Sequence, residues 1–332
     1  MHLAIFGFGS PHHLAVWILV GGFVVICLLI EVLSGPLAER SSMTQQRINL
    51  QMPAVLRLRH GDAVKTSILL VGNSAMVYAT DTRLLKTHLG ITCEIASLFI
   101  GGTSYYDWYY GLRRIFAKGA EPDVVIVALP ATTFLETQIH SDYFSATLLN
   151  RRDVLRVSRD LHYSWTKMTS LFVGTLSSFW GHRGVIRARV MSAFVPDSKL
   201  RGLASNRPPE STMTNDQIDK ALRDVASCRL VALAALCADH KAQLVFLLPP
   251  VANGNDHFKT FLEIASAAGA KVLLPISSGT LRPRDFPGGV HLGSNLVENF
   301  THSVVLAIRG LLECRRRENP SLKRAESSVA PE

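Results

Sequence analysis

The sequence has few of the residues that build metal sites and disulfide frameworks. Five cysteines are spread over 332 residues, and an odd number of cysteines cannot pair completely. They are Cys27, Cys93, Cys228, Cys237 and Cys314, with no CxxC pair among them. His88, His240 and His257 are scattered without metal-ligand spacing. We therefore expect neither a zinc site nor a disulfide scaffold, and no metal or other cofactor.

Basic residues are missing from the start of the chain. No lysine or arginine precedes an uncharged apolar run from Leu14 to Ile30, which Val32 and Leu33 can extend. A cleaved signal peptide has a basic start and a shorter apolar core, whereas this run approaches the length of a membrane-spanning helix. We therefore predict a flank over 1–13 and an uncleaved transmembrane anchor over 14–33. A signal peptide and a buried helix of a soluble domain are the alternatives.

The residues after the anchor bear on its orientation. Arg40 and Arg47 follow the apolar run, and lysine and arginine near a membrane helix favour the cytoplasmic side. Charge alone therefore places the body of the protein in the cytoplasm. Residues 34–66 are predicted to form a polar, mostly irregular connector.

The body of the chain, predicted as one domain over 67–313, alternates apolar strands with helical segments. The predicted strands are 68–72, 93–99, 124–129, 244–248 and 271–274. The predicted helices are 80–88, 105–118, 217–237, 257–268 and 292–314. Continuous apolar strands imply burial on both faces of a sheet. Their alternation with helices predicts an α/β fold with a doubly wound, mostly five-stranded parallel sheet in a three-layer sandwich.

A segment at about 140–216 interrupts this alternation and is predicted to be a helical insertion. Between Arg151 and Arg207 it has eleven lysines and arginines against three aspartates, which accounts for most of the chain's net charge of +9. Such a basic, aromatic surface suits an anionic polysaccharide or a membrane face, or it is simply a solvated helical face. Nucleic acid is disfavoured, because the chain has an anchor and no nucleic-acid-binding motif. The polar tail over 314–332 is predicted to be disordered.

Three short motifs lie where chemistry gathers in such sheets. The first strand stops at Gly72, and Ser74 follows two residues later, at the carboxyl end of the strand. Gly101 and Gly102 form a turn after the second strand. His291 lies before the last helix, in the stretch Gly-Val-His-Leu. A serine and a histidine in these places suggest acyl transfer through an activated hydroxyl.

The order of these motifs resembles that of the SGNH hydrolase superfamily, in its membrane-anchored branch linked to cell-surface polysaccharide O-acylation. The resemblance covers about 66–135 and 240–310. It implies that Ser74 is the nucleophile of an acyl-enzyme mechanism and that His291 is its general base. The backbone N–H groups of Ser74 and Gly102 would face the oxyanion, beside Asn73, which stands where the family usually has an aspartate.

The chain departs from that family at two positions. The family commonly has an aspartate three residues before the histidine, where this chain has Gly288. Asp285 lies six residues before His291 and would orient it only if the loop folds back. The family also commonly has an oxyanion asparagine after the third strand, where Thr132 or Thr133 is the substitute we consider, with Thr132 taken as the candidate site residue.

These features predict a membrane-anchored serine acyltransferase or esterase that acts on O-acyl groups, foremost O-acetyl, of an envelope or exported polysaccharide. The resemblance further implies an inner-membrane, single-pass protein with an extracytoplasmic (periplasmic) body, and a multispanning O-acyltransferase as partner. The alternative is a catalytically degenerate homologue that binds polysaccharide or scaffolds an export complex. A flavodoxin-like phosphate-binding module is disfavoured, because the loop after the first strand lacks glycine richness.

Overall fold

The computed structural model describes residues 11–61, 65–139, 143–194, 213–252, 257–277, 280–287, 289 and 291–318. Its centre is a five-stranded sheet in which every neighbouring pair is parallel. The strands are β1 (Thr66–Gly72), β2 (Cys93–Phe99), β3 (Val124–Ala128), β4 (Gln243–Leu247) and β5 (Lys271–Leu273). Their spatial order is β2-β1-β3-β4-β5. The predicted five-stranded parallel sheet is confirmed, and each strand lies within two residues of its predicted ends.

Helices precede, connect and follow these strands. Those before β3 are α1 (Pro11–Ser41), α2 (Met43–Arg57), α3 (Ser74–Ala79), α4 (Thr82–Leu89) and α5 (Tyr105–Ala117). Those between β3 and β4 are α6 (Val154–Asp160), α7 (Trp165–Leu176), α8 (Ser178–Phe194), α9 (Asn215–Ala221) and α10 (Ser227–Asp239). The last two are α11 (Phe258–Ala267) and α12 (Val297–Glu318). Residues Arg315–Glu318, predicted to belong to the disordered tail, are helical, and 319–332 lie outside the described residues.

Two apolar clusters lie on opposite faces of the sheet. Alternate residues of β1 divide between them, since Leu69 and Val71 belong to one cluster and Ile68 and Leu70 to the other. The first cluster also contains residues of α2, α5, α10 and α11, and the second contains residues of α3, α4 and α12. This division confirms the doubly wound, three-layer arrangement.

The segment after the anchor is helical, so the predicted irregular connector is wrong. Helix α1 continues to Ser41, and Ser42 then caps α2 by accepting a hydrogen bond from the backbone N–H of Gln45 at 3.2 Å. Helix α2 buries Ile48 and Val55, which lie seven residues apart and therefore share one face. The prediction failed because the segment is mostly polar in composition, and its apolar residues form only a narrow stripe that packs against the sheet.

Helix α1 has two parts that differ in their surroundings. Every side chain from Leu14 to Ile30 is exposed, whereas Ser34 and Ala38 in its later turns are buried. The stretch Leu14–Ser41 is long and apolar enough to cross a membrane, a property it shares with signal sequences. The packed later turns contact α8 of the insertion, so the apolar part projects from the folded body.

The insertion is helical in its described parts, while 195–212 lie outside the described residues. Helices α7 and α8 cross closely at Gly174 and Gly181. A Cβ on Gly181 would lie 2.9 Å from the carbonyl oxygen of Gly174, and one on Gly174 would lie 2.6 Å from Oγ of Ser145. The two helices therefore form a tight hairpin (the α7–α8 hairpin) that packs against α1.

Candidate active site

Ser74 stands at the junction of β1 and α3. The side-chain oxygen of Asn73 accepts a hydrogen bond from the backbone N–H of Ala75 at 3.0 Å, which caps α3. Ser74 is therefore the first residue of that helix, and it is partly exposed. No helix was predicted from the sequence for residues 74–79, and Asn73, predicted at the oxyanion or substrate, has its side-chain oxygen engaged in this cap.

The strand order explains why this position suits a site. The chain passes from β1 to β2 on one side of it and then crosses to β3 on the other side, so the direction of winding reverses at β1. In open α/β sheets, such a switch point opens a crevice at the carboxyl ends of the two strands. Ser74 follows β1, and the exposed Thr132 lies on the 3₁₀ turn Ala131–Phe134 after β3.

Gly72 permits the close approach of β1, β3 and α3. A Cβ at this position would lie 2.8 Å from the carbonyl oxygen of Ala128 and 2.8 Å from Cγ of Met76. Because the first of these contacts is with backbone, β3 itself would have to move. We expect Gly72→Ala to lower the free energy of unfolding by about 1–3 kcal/mol, as overpacking does in dense interiors. Denaturant unfolding of the full chain measures this loss of stability. Gly119→Ala is not a suitable control, because Gly119 has a positive φ of 89°.

A better control for Gly72→Ala is Gly310→Ala on α12. A Cβ at Gly310 meets nothing within 4 Å, and alanine is the better helix former. We expect Gly310→Ala to leave stability unchanged or raise it slightly. Equal destabilisation by both changes would contradict the steric argument for Gly72.

The glycine turn after β2 lies beside Ser74. A Cβ placed on Gly101 would lie 3.9 Å from Cβ of Ser74. Gly102 has a φ of 72°, a left-handed conformation that favours glycine. The turn is tied to β1, since Ile100 N donates to the carbonyl oxygen of Gly72 at 3.0 Å. The structure thus brings the predicted glycine motif to the serine.

His291 reaches the same edge from the far end of the chain. Its imidazole ring lies 4.4 Å, centroid to centroid, from the ring of Tyr78. Tyr78 lies four residues after Ser74 on α3, hence on the same face of the helix. The Nδ1 atom of His291 is buried. The predicted histidine therefore contacts, through Tyr78, the same short helix that begins with the predicted serine.

The loop that carries His291 is closed by a backbone hydrogen bond. The backbone N–H of Gly293 donates to the carbonyl oxygen of Asp285 at 2.7 Å, closing a loop between them. The Asp285 side chain accepts a hydrogen bond from the backbone N–H of Arg282 at 2.7 Å. That bond caps its own 3₁₀ turn, Pro283–Asp285, so the orienting role of Asp285 stays a prediction. Gly288, the site of the missing aspartate, lies outside the described residues.

Tyr78 is a residue that sequence reasoning missed. The predicted helix began only at residue 80, so 74–79 had no assigned periodicity, and the spacing from Ser74 to Tyr78 carried no meaning. The available signal was Asn73, a favoured helix N-cap residue directly before Ser74. More than half of the Tyr78 side chain is exposed (55%), so it can also contact a bound substrate.

Asp107 holds the first turn of α5, which follows the glycine turn. Its Oδ2 accepts hydrogen bonds from the backbone N–H of Ser104 at 3.0 Å and from the Ser104 hydroxyl at 3.2 Å. Its other oxygen, Oδ1, is buried without a hydrogen-bond partner among the described residues. Burial raises the pKa of Asp107 to about 7, with a further contribution from the charge of Glu136, while the bonds to Ser104 oppose this rise.

This raised pKa gives stability a defined pH dependence. Between the ordinary aspartate pKa of 3.8 and about 7, the folded chain keeps a proton on Asp107 that the unfolded chain releases. The contribution of Asp107 to stability is therefore complete below the ordinary pKa and is lost as the pH rises to about 7. We expect Asp107→Asn, which still accepts from Ser104 but cannot ionise, to melt progressively higher than wild type as the pH rises from 5 to 8.

Melting temperatures of the full chain in neutral detergent test this expectation at pH 5, 6, 7 and 8. Asp224→Asn is the matched control, because Asp224 is exposed in the helical turn between α9 and α10. Its melting curve should follow that of wild type at every pH. Parallel curves for wild type and Asp107→Asn would contradict a proton held by Asp107.

Two buried cysteines and possible groups of metal ligands are the other candidate reactive centres. Burial raises the pKa of Cys93 to about 11 and that of Cys237 to about 12, so both thiols stay protonated and unreactive near neutral pH. Across the described part of the chain, no group of three or more His, Cys, Asp or Glu side chains is arranged to hold a metal ion.

Comparisons with known proteins add little to this geometry. No protein-family model and no curated protein matches the chain. Solved structures that match include LAE5, an alpha/beta hydrolase enzyme from the metagenome of Lake Arreo, Spain, at 13% identity and a TM-score of 0.37. That match covers 74% of this chain and 97% of LAE5. Another is Axe2, an acetylxylan esterase from Geobacillus stearothermophilus, at 11% identity and a TM-score of 0.35, covering 74% of this chain and 96% of Axe2. At these scores neither match carries an argument about function.

Proposed function

We propose that this protein is a serine-dependent esterase or acyltransferase with Ser74 as nucleophile and His291 as general base. The observation that carries the proposal is the short helix α3, which begins with Ser74 and holds Tyr78 against His291 one turn later. The site lies at the carboxyl end of β1, at the switch point of the sheet.

The proposed reaction has two steps, acylation and deacylation of Ser74. In the first, His291 takes the proton from the Ser74 hydroxyl as its oxygen attacks the acyl carbon of an ester. The ester bond breaks, the leaving alcohol takes the proton from His291, and the acyl group stays on Ser74. In the second, water or a sugar hydroxyl attacks the acyl-serine, loses its proton to His291, and Ser74 recovers that proton.

Backbone N–H groups stabilise the oxyanion that forms in each step. We assign this role to Ser74 N and Gly102 N, because the glycine turn lies beside the serine. A donor of this kind contributes about 3–4 kcal/mol to the transition state. Thr132, exposed after β3, is a candidate for a third donor or for a contact to substrate.

We further propose that the substrate is an O-acylated, foremost O-acetylated, envelope polysaccharide, handled from a membrane anchor. Support comes from α1, whose exposed apolar part continues without a break into turns that pack against the body. Cleavage within α1 would remove or shorten this packed element, which favours an anchor over a signal peptide. By the family resemblance the body is extracytoplasmic, and a multispanning O-acyltransferase supplies the acyl group.

One observation favours the second candidate, a catalytically inactive polysaccharide-binding or scaffold protein. The Asp285 carboxylate caps its own turn through Arg282, although it was the one candidate to replace the missing aspartate. A histidine without an orienting carboxylate is a weaker base. This candidate predicts a folded protein with no ester turnover.

A pre-steady-state burst distinguishes the two candidates. The full chain, purified in neutral detergent, is mixed with excess p-nitrophenyl acetate, and nitrophenolate release is followed. An acyl-serine enzyme should release about one equivalent rapidly and then turn over more slowly, since deacylation follows acylation. Adding an unacetylated oligosaccharide should speed the slow phase and yield acetylated sugar if the enzyme is a transferase. A folded chain with neither burst nor turnover would support the scaffold.

A further inference from the structure

A cavity of about 600 Å³ lies in the α7–α8 hairpin and the adjoining segments, apart from the candidate active site. Its volume is within the range of small-molecule binding sites. Side chains of α7, α8 and the helical turn Phe144–Leu148 line it. Much of this lining is apolar, including Phe144, Leu171, Ile186 and Met191.

The charged residues among the described lining of this cavity are all basic. They are Lys167, Arg183 and Arg187, and that described lining contains no aspartate or glutamate. Nζ of Lys167 lies 3.8 Å from the centre of the Tyr163 ring, and Arg183 donates to Ser170 Oγ at 2.9 Å. Within the described part of the chain, Arg187 makes no hydrogen bond or ion pair. An anionic group would therefore supply the counter-charge that these three described basic residues do not have among the other described lining residues.

The cavity adjoins the point where α1 leaves the folded body. Glu31 follows the exposed apolar run directly, and its carboxylate accepts hydrogen bonds from the Ser177 hydroxyl at 2.7 Å and from the backbone N–H of Ser178. It also accepts from the backbone N–H of Phe179 at 3.3 Å, and the Phe179 side chain lines the cavity. One residue thus joins the cavity to the end of the apolar segment.

Exposed apolar side chains surround this junction. Leu176 and Phe179, at the turn between α7 and α8, are 51% and 38% exposed, and the adjacent Trp180 is 37% exposed. Tryptophan is enriched where a membrane surface meets water. If the apolar part of α1 spans a bilayer, Glu31 marks its boundary, and the turn of the hairpin lies at the level of the lipid headgroups.

From these observations we propose that the cavity in the α7–α8 hairpin binds an anionic membrane phospholipid. The phosphate lies against Lys167, Arg183 and Arg187, and an acyl chain lies against the apolar lining. This binding is independent of the chemistry at Ser74, and it holds the insertion against the membrane. A zwitterionic lipid carries its own counter-charge, so the cavity selects an anionic headgroup over a choline headgroup.

The test titrates the full chain in neutral detergent with phosphatidylglycerol, phosphatidylcholine or inorganic phosphate, and counts bound molecules by native mass spectrometry. The proposal predicts one retained phosphatidylglycerol, with at least about tenfold weaker retention of phosphatidylcholine. Inorganic phosphate alone should not displace the lipid. Equal retention of both lipids, or full displacement by phosphate, would overturn it.

Matched variants separate the cavity from general surface charge. Replacing Lys167, Arg183 and Arg187 by glutamine should weaken phosphatidylglycerol retention about tenfold or more, an effect of about 1.4 kcal/mol. The control replaces Arg151, Arg152 and Arg189 by glutamine, which removes the same charge from exposed positions outside the cavity lining. Equal weakening by both triple variants would contradict a cavity site.

A single variant guards against misfolding of the hairpin. Arg187→Glu reverses one charge without breaking any hydrogen bond or ion pair that the described residues make. It should keep the wild-type melting temperature in lipid-free detergent and still lose phosphatidylglycerol. Unchanged lipid retention in this variant would overturn the proposal, whether or not Ser74 proves to be catalytic.

Discussion

Ser74→Ala is expected to lower the kcat of ester turnover by about 10⁴-fold or more, with little change in stability. Removal of the nucleophile leaves only the oxyanion donors and substrate binding to act on water, and such residual catalysis is small. His291→Ala should be similarly impaired, because the serine hydroxyl then has no base. The double variant should be no slower than either single variant, since the two residues act as one unit.

The controls for this prediction lie on the same chain. Ser303 is partly exposed on α12, where its hydroxyl donates to the carbonyl oxygen of Asn299 at 3.0 Å, so Ser303→Ala should keep wild-type turnover. Melting temperatures of all variants establish that each is folded. Turnover in Ser74→Ala within tenfold of wild type would refute a serine nucleophile at this position.

Arg229→Met is expected to lower the free energy of unfolding by about 3 kcal/mol. Arg229 is buried on α10, and its guanidinium donates to the carbonyl oxygens of Phe134 and Glu136, to the latter at 2.9 Å. The guanidinium also lies over the rings of Tyr105 and Tyr106, 5.1 and 4.8 Å from their centres. Methionine fills part of the volume but leaves two carbonyl groups without their charged donor, and each costs about 1–3 kcal/mol.

This loss should also affect the candidate site. The two carbonyl groups belong to the segment after β3 that carries Thr132, so Arg229 holds this segment in place beside the crevice. Arg223→Met is the matched control, because its ion pair with Glu263 is about half exposed on both sides and should contribute less than 1 kcal/mol. Denaturant unfolding of both variants measures the difference. Similar stabilities would show that Arg229 has no special structural role.

The sequence was sufficient to predict the sheet because its strands are buried on both faces. The runs at 68–72, 93–99 and 124–129 are almost wholly apolar, and parallel strands between two helical layers need that composition. Helix α4 was predicted within two residues of its ends, and its N-cap is Asp81, whose side chain accepts from the N–H groups of Arg83 and Leu84. Strong local signals and global packing agree in these segments.

The helical connector and helix α3 were not predicted from the sequence, for opposite reasons. Helix α2 has a polar composition and only a narrow apolar face, so its helicity depends on packing against a sheet formed by later residues. Helix α3 is six residues long, too short for periodicity to mark, and it exists because Asn73 caps it where β1 ends. Tyr78 could not be assigned to the site without that helix.

The candidate site could be predicted only in part from the sequence. Ser74 and the glycine turn follow neighbouring strands of a parallel sheet, so topology alone predicts their proximity. The place of His291 depends on a loop of irregular backbone, closed by the bond from Gly293 to Asp285, which no periodic pattern encodes. The link between Glu31 and the insertion likewise joins segments about 150 residues apart, as the bonds to Ser177 and Ser178 show.

Covalent labelling of Ser74 tests the central claim most directly. The full chain in neutral detergent is treated with a fluorophosphonate, digested, and mapped by peptide mass spectrometry, beside Ser74→Ala and His291→Ala. The account predicts one adduct, on the peptide that contains Ser74, absent from Ser74→Ala and formed far more slowly in His291→Ala. An unlabelled but folded wild-type chain, or an adduct on another serine, would contradict it.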